Sequence, residues 1–539
     1  MITLRLSGPR LAVVAAVAVL LASCSRSPVP QPSAPVPAAA TAAAAHHHAD
    51  APGIDWFPGD VDTAFAAARS AHKPVLLYWG ATWCPPCQQL KAKIFSRPDF
   101  IARSRLFVPV YLDGDDAGAQ KWGQAFRVAG YPTLVVLDAD RHEIMRIAGG
   151  MDLGAYATVL DTALADLEPA DLLLDAAASG RALNAGQCRR LAYNAWQLEP
   201  GAEPVDSARL AQRLTTAVGR CPEDARVERA RLQIYAANYA AQAEEDALES
   251  GKPASAALLA HVVAMDGVLR QENIALEVSD ALQSLGASFF RAVKSDSAMA
   301  SSWLAHFVRV MDAAAADPRF TEADQLGAIG SKLAAINLID GAIPAGVARA
   351  ASARVSAAVA GEQIPYVRSG IIDSALIIYD FLGQNELAYK VVQAELAKTT
   401  TPYYYKADLG DLAERLGRKD EALKWYAEGY AEARGPATRF QWGEIYAASL
   451  LRLQPDDAAR ISSVTGQVLG ELDGPDRIYR RAHMRLMRLD KALRKWDADT
   501  HGVHHQVVVD LRARMQRLCV KIPAGEPAHA NCNAFLASG

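Results

Sequence analysis

Cysteine is scarce. There are seven in 539 residues, too few for a disulfide-built scaffold, and a chain of this length can bury cores that need none. A basic excess is also missing. Lys and Arg number 56 against 60 Asp and Glu, a formal charge of −4. That excludes a dedicated nucleic-acid binder, whose surface must displace counterions from phosphate. After the N-terminal segment no stretch reaches 18 uncharged apolar residues, so no second membrane anchor is expected. What remains is an ordinary folded composition, 51% hydrophobic and 22% charged, which excludes a wholly disordered chain. A single core rarely grows beyond about 300 residues, so at least two domains are expected.

The first residues read as an address. Arg5 and Arg10 flank the start of an apolar run, Leu11 to Leu21, too short to span a bilayer comfortably. The run ends in Leu21-Ala22-Ser23-Cys24, which resembles a bacterial lipobox: small side chains admit a peptidase, and the Cys24 thiol takes the lipid. Residues 1–23 are therefore expected to be a signal peptide and Cys24 a lipidated N-terminus. Acyl chains on one residue hold a protein at a membrane, each buried methylene adding about 0.8 kcal/mol. Ser25 follows the cysteine, and by resemblance to lipoprotein sorting in double-membraned bacteria this implies a periplasm-facing protein on the outer membrane. Residues 24–52 are rich in Pro and Ala and read as an extended spacer. His46, His47 and His48 close it. A polar linker end is the simpler reading of these, since no second ligand cluster adjoins them.

The chemistry lies in Lys73-Pro-Val-Leu-Leu-Tyr-Trp-Gly-Ala-Thr-Trp-Cys-Pro-Pro-Cys87. Pro74 to Gly80 reads as a buried strand, and Gln88 to Phe95 as a helix whose apolar residues fall at Leu90, Ile94 and Phe95. A Cys-x-x-Cys pair at such a junction has a specific use. Cys84 sits by free amides at a helix start, where the dipole favours thiolate. Cys87 lies about one turn deeper, placed to attack a mixed disulfide formed on Cys84. Further on, strands are expected at Phe107–Leu112, Leu134–Leu137 and Arg141–Ala148, with helices at 62–71, Ala117–Phe126 and Asp152–Leu167. Helices then cover both faces of a small mixed sheet. Zinc would want four ligands, and there is no second Cys-x-x-Cys. No metal and no cofactor is assigned.

Trp83-Cys84-Pro85-Pro86-Cys87 and Gly130-Tyr131-Pro132-Thr133 resemble the two signatures of the thioredoxin fold family. The Lys-Pro-Val lead-in and Phe95-Ser96-Arg97-Pro98 are similar to the C-terminal thioredoxin-like domain of DsbD-type reductases. The resemblance covers about 55–168, and the domain is set at 53–168. It implies that Cys84 attacks and Cys87 resolves, and that Cys84 and Cys87 form the redox-active disulfide. It also implies a cis bond before Pro132, and a substrate groove of Trp83, Pro85, Pro86, Tyr131, Pro132 and Thr133. Within that groove Tyr131 would offer its backbone to a substrate strand. Two departures stand out. The family's buried carboxylate six residues before the first cysteine is Tyr78 here, and its accompanying lysine aligns with Pro109. Proton transfer at Cys87 must then use another group.

From 169 onward alanine is abundant and apolar residues recur at helical spacing, as in Leu258, Val262, Met265 and Val268. Residues 169–364 are expected to be helical without a clear period. In 365–470, Leu382-Gly383 and Leu416-Gly417 stand 34 residues apart, as do Ala388 and Ala422. That spacing resembles tetratricopeptide repeats, stacked helix pairs that commonly present a surface to a protein partner. Tyr403, Tyr404 and Tyr405 line such a groove or belong to the core. Residues 471–539 are read as a helical end with a disulfide-closed loop. Four cysteines remain: Cys188, Cys221, Cys519 and Cys532. Neighbour order suggests Cys188–Cys221 and Cys519–Cys532, though sequence permits three pairings. His501, His504 and His505 read as a solvated turn.

The expected fold is thus an α/β thioredoxin-like domain followed by a large all-α, partly tetratricopeptide-like region. The expected activity is thiol–disulfide exchange, in the reductase direction, with envelope proteins as substrates and an electron donor not named by the sequence. Membrane contact is through the lipid anchor alone, and no nucleic acid is involved. Two alternatives remain: a repeat-based adaptor whose thioredoxin-like unit is mainly structural, and a copper-handling protein using Cys84, Cys87 and nearby histidines. The redox reading requires both sulfurs to be within reach of an incoming polypeptide.

Overall fold

The computed structural model describes residues 53–537 apart from 117, 129, 149–154, 197–205, 363 and 475. The signal segment 1–23, Cys24, the spacer and His46–His48 lie outside the described residues.

The α/β part begins with helix α1 (Val61–Ala71), whose first turn is capped by Asp60, its carboxylate accepting from the Thr63 amide at 2.8 Å. Strand β1 (Val75–Gly80) follows, then α2 (Pro85–Leu90), which runs on as a π-helical turn to Phe95. A short helix α3 (Pro98–Ser104) comes next. Proline at its first position explains it, since a missing amide costs nothing there; the sequence reading passed over it. Strand β2 (Val108–Asp113), helix α4 (Ala119–Ala125), strands β3 (Thr133–Leu137) and β4 (Glu143–Ala148) and helix α5 (Ala155–Ala165) complete the unit.

The sheet order is β2-β1-β3-β4, with β1 and β2 parallel and both β1–β3 and β3–β4 antiparallel. Every residue of β1 is buried, as befits a central strand with helices on both faces. Its side chains alternate between two cores. Leu76 and Tyr78 join Leu90, Phe95 and Leu160 on one face, and Val75, Leu77 and Trp79 join Phe65 and Val135 on the other.

The remainder is helical among the described residues. In 365–470 the helices pair as Pro365–Phe381 with Asn385–Glu395, Pro402–Arg415 with Lys419–Glu432, and Pro436–Leu453 with Ala458–Gly470. Gly383 and Gly417 hold positive φ at the first two turns, where a side chain would be strained. Gly410 lets the second pair close: a Cβ there would lie 2.4 Å from the Tyr426 ring. Cys188 is bonded to Cys221 and Cys519 to Cys532, with Cα–Cα separations of 5.9 and 5.5 Å. No helix among the described residues is long and apolar enough to cross a membrane.

Candidate active site

Pro85 and Pro86 open α2 and have no amide hydrogens, which removes two of the donors a helix start leaves unpaired. The amide of Cys87 is the next in line, and it donates to Cys84 Sγ at 3.3 Å. Cys84 is itself the N-cap residue, in extended backbone. Cys84 and Cys87 are joined as a disulfide with their Cα atoms 5.2 Å apart. The Pro-Pro pair thus spends the helix's first free amide on one sulfur, an arrangement that favours negative charge on Cys84 once the bond is reduced.

Thr133 pairs with Trp79 across β3 and β1, so the residue before Thr133 sits at the same end of the sheet as the turn leading to Cys84. That residue is Pro132, and its bond to Tyr131 is cis. Thr133 Oγ1 donates to the Gly130 carbonyl at 3.0 Å and fastens the bend. Tyr131 packs edge-on to Trp83, ring centroids 5.8 Å apart.

A family profile described as "Thioredoxin-like domain" matches residues 61–164. Residues 61–164 are a thioredoxin-like domain. The chain is 27% identical over 103 residues to thiol:disulfide interchange protein DsbD 2 of Pseudomonas aeruginosa, 18% of each chain. It is 34% identical over 111 residues to thiol:disulfide interchange protein DsbD of Cronobacter sakazakii, 20% of this chain and 19% of that one. The similarity therefore spans about a fifth of these relatives' length.

Tyr78, six residues before Cys84, is part of an aromatic cluster. It stacks on Tyr111 at 5.2 Å and meets Phe95 edge-on at 4.9 Å. Two ionisable residues that sequence reasoning passed over stand nearby. Lys91 is buried four residues after Cys87, its Nζ 5.0 Å from the centre of the Tyr111 ring. Its i+4 spacing from Cys87 was the available signal. Asp113 ends β2. It accepts from the Thr82 amide at 3.0 Å, the Asp115 amide at 3.0 Å and the Tyr111 hydroxyl at 3.1 Å. Burial pushes its pKa up to about 6, with the charges of Asp115 and Asp116 adding to the rise and the Asp115 amide opposing it.

This shift has a sign that can be tested. Asp113 holds a proton in the folded chain between about pH 4 and 6, where the unfolded chain has released it. It therefore contributes stability at low pH that is lost as pH rises through that window, on the order of 3 kcal/mol in all. In Asp113→Asn this dependence vanishes. Denaturant unfolding at several pH values should show the wild-type-minus-variant difference falling from pH 4 to 7; a flat difference would refute the assignment.

The groove residues are not open to solvent, so the condition set by the redox reading, both sulfurs within reach of an incoming polypeptide, is not met in this closed arrangement. Cys84 is 3%, Cys87 0% and Trp83 7% exposed. Pro85, Pro132 and Thr133 are buried as well, and Pro86 and Tyr131 partly so. The cover is the helical region. Trp83, Cys84 and Cys87 belong to its apolar core, not to either core beside the sheet. Trp83 meets Trp442 edge-on at 4.9 Å and lies 6.2 Å from Tyr404. Trp83 Nε1 donates to Thr438 Oγ1 at 2.6 Å. Tyr403, Tyr404 and Tyr405 are all buried, so they are core and line no open groove.

Among the described residues no group of three or more His, Cys, Asp or Glu is arranged to hold a metal ion. His505 Nδ1 lies 2.7 Å from Asp497 Oδ2, and His504 stacks on Trp496.

Proposed function

We propose that this chain is a protein thiol–disulfide oxidoreductase that reduces disulfides in envelope proteins. The observation that carries this is the Cys84–Cys87 disulfide at the start of α2, on the sheet end that bears cis-Pro132. In the reduced pair, the Cys84 thiolate attacks one sulfur of a substrate disulfide. A Cys84–substrate bond forms as the substrate bond breaks, and the leaving sulfur departs as thiolate. Cys87 gives up its proton and attacks Cys84, releasing the second substrate thiolate and closing the Cys84–Cys87 bond. Two electrons pass to the substrate, and a donor dithiol restores the pair. The Leu21–Cys24 motif supports placement as a lipoprotein of the outer membrane facing the periplasm. The helix pairs of 365–470 would engage a protein partner.

A second reading has its own support. The burial of Trp83, Cys84 and Cys87 under helices suits an adaptor in which the thioredoxin-like domain is structural. Reduction of a protein disulfide such as insulin's, driven by a donor dithiol, separates the two. The redox reading expects turnover that depends on Cys84 and Cys87. Turnover no higher than in serine variants would leave only the adaptor.

A further inference from the structure

The helix Pro436–Leu453 starts without a capping side chain of its own. Its N-cap is Gly435, at φ +82°, followed by Pro436. Helix starts normally recruit Ser, Thr, Asp or Asn for this purpose. Here the cap comes from the thioredoxin-like domain. Asp115 Oδ1 accepts from the Thr438 amide at 3.0 Å, and its other oxygen accepts from the Thr438 hydroxyl. Gly435 is what allows this, because a Cβ there would lie 2.3 Å from the Asp115 carboxyl carbon. The same Thr438 hydroxyl accepts from Trp83, next to Cys84. Asp115, Thr438 and Trp83 therefore form one continuous relay across the cover.

Other contacts flank it. The Arg481 guanidinium lies 4.2 Å from the centre of the Tyr131 ring, over the cis-proline bend. Gln124 accepts from the Arg480 amide at 3.0 Å and from Asn531 at 3.1 Å. On the far side Gly370 of helix Pro365–Phe381 sits against Gln89 of α2, where a Cβ would be 2.3 Å from Gln89 Nε2. Contacts thus reach the thioredoxin-like domain from four helices of the same chain.

We propose that the helical region is an intramolecular cover over the Cys84–Cys87 disulfide, and that the Asp115–Thr438–Trp83 relay is the latch that must part before the pair exchanges with another thiol. This rests on the redox reading for its purpose, but not for its test. When the latch parts, a dithiol reaches Cys84. One of its sulfurs bonds to Cys84 as the Cys84–Cys87 bond breaks. Its second sulfur then displaces Cys84, leaving two protein thiols and one oxidised dithiol.

The test uses the full chain with its three disulfides intact. Dithiothreitol reduces it under native conditions, and maleimide labelling with mass analysis follows each cysteine. Thr438→Val keeps the shape of the side chain and removes both of its hydroxyl bonds. Two hydrogen bonds at typical net strength correspond to roughly tenfold in the opening equilibrium, so Cys84 and Cys87 should become labelled about tenfold faster than in wild type. Asp115→Asn, on the other side of the interface, should accelerate labelling in the same direction. Cys188, Cys221, Cys519 and Cys532 should keep their wild-type rates, which separates unlatching from general unfolding. Wild-type labelling as fast as either variant overturns the latch, as does equal acceleration at all six cysteines. Faster labelling without insulin turnover would uphold the latch and defeat the redox reading; insulin turnover with unchanged labelling would do the reverse.

Discussion

In Cys84→Ser, protein-disulfide turnover falls to the background set by the donor dithiol alone, a loss of about a hundredfold or more. Serine at this position keeps the N-cap geometry, because its oxygen accepts from the Cys87 amide as sulfur does. What it lacks is a nucleophile that ionises near neutral pH and bonds to sulfur. Cys87→Ser fails differently. Cys84 still attacks, but no second thiol lies one turn away to resolve the intermediate, so one equivalent of substrate is captured and then held. In a single turnover of pre-reduced protein with insulin and no donor dithiol, the first variant gives a flat trace and the second a stoichiometric burst of capture. Equal steady-state rates in wild type and Cys84→Ser would remove Cys84 from the reaction. The burst also distinguishes the roles of the two cysteines, which equilibrium stability data do not separate.

Glu395→Gln destabilises the first helix pair of the 365–470 region by about 3 to 5 kcal/mol. Arg368 and Glu395 are 4% and 3% exposed, and Arg368 Nε donates to both Glu395 oxygens at 2.8 Å. Arg368 Nη1 also donates to the carbonyls of Val359 and of Glu362, the latter at 2.8 Å. One guanidinium thereby ties helix Ala345–Gly361 to Pro365–Phe381 and Asn385–Glu395. Neutralising its partner leaves a buried cation without its counter-charge, and that cost exceeds the worth of the hydrogen bonds alone. Arg368→Met with Glu395→Met, which removes both charges, should cost less than either single change. Hydrogen exchange of residues 365–395 reads this locally, which suits a chain of several cores better than one melting temperature. A single variant that exchanges like wild type would contradict the assignment. Because Gly370 of the same helix sits against Gln89, Glu395→Gln should also loosen one side of the cover.

Much of the α/β unit was legible because its signals are local. Short apolar runs bounded by breakers mark β1 and β3, and Trp83–Cys87 and Gly130–Thr133 are contiguous motifs. The turn glycines Gly383 and Gly417 were legible for the same reason, since 34-residue spacing is visible in one dimension. The cover was not. The residues that close over Cys84 are Tyr404, Thr438 and Trp442, more than 300 positions away. An aromatic stripe on a helix looks the same whether it packs on its own neighbours or on another part of the chain. One trace existed: Gly435-Pro436 starts a helix with no cap, and a missing cap implies an acceptor from elsewhere. Asp113 escaped notice because a carboxylate at a strand end is ordinary; only its burial and three donors mark it.

The central claim is that Cys84 bonds covalently to a protein partner and Cys87 releases it. The direct measurement is a trap. Cys87→Ala in the full chain, carrying Thr438→Val to part the cover, is exposed to oxidised insulin under native conditions and resolved without reductant. The account predicts a single adduct, one insulin molecule disulfide-bonded to Cys84 by peptide mapping, absent when Cys84 is also serine and reversed by dithiothreitol. No adduct on Cys84, or an adduct that persists in the triple variant with Cys84→Ser, would contradict it.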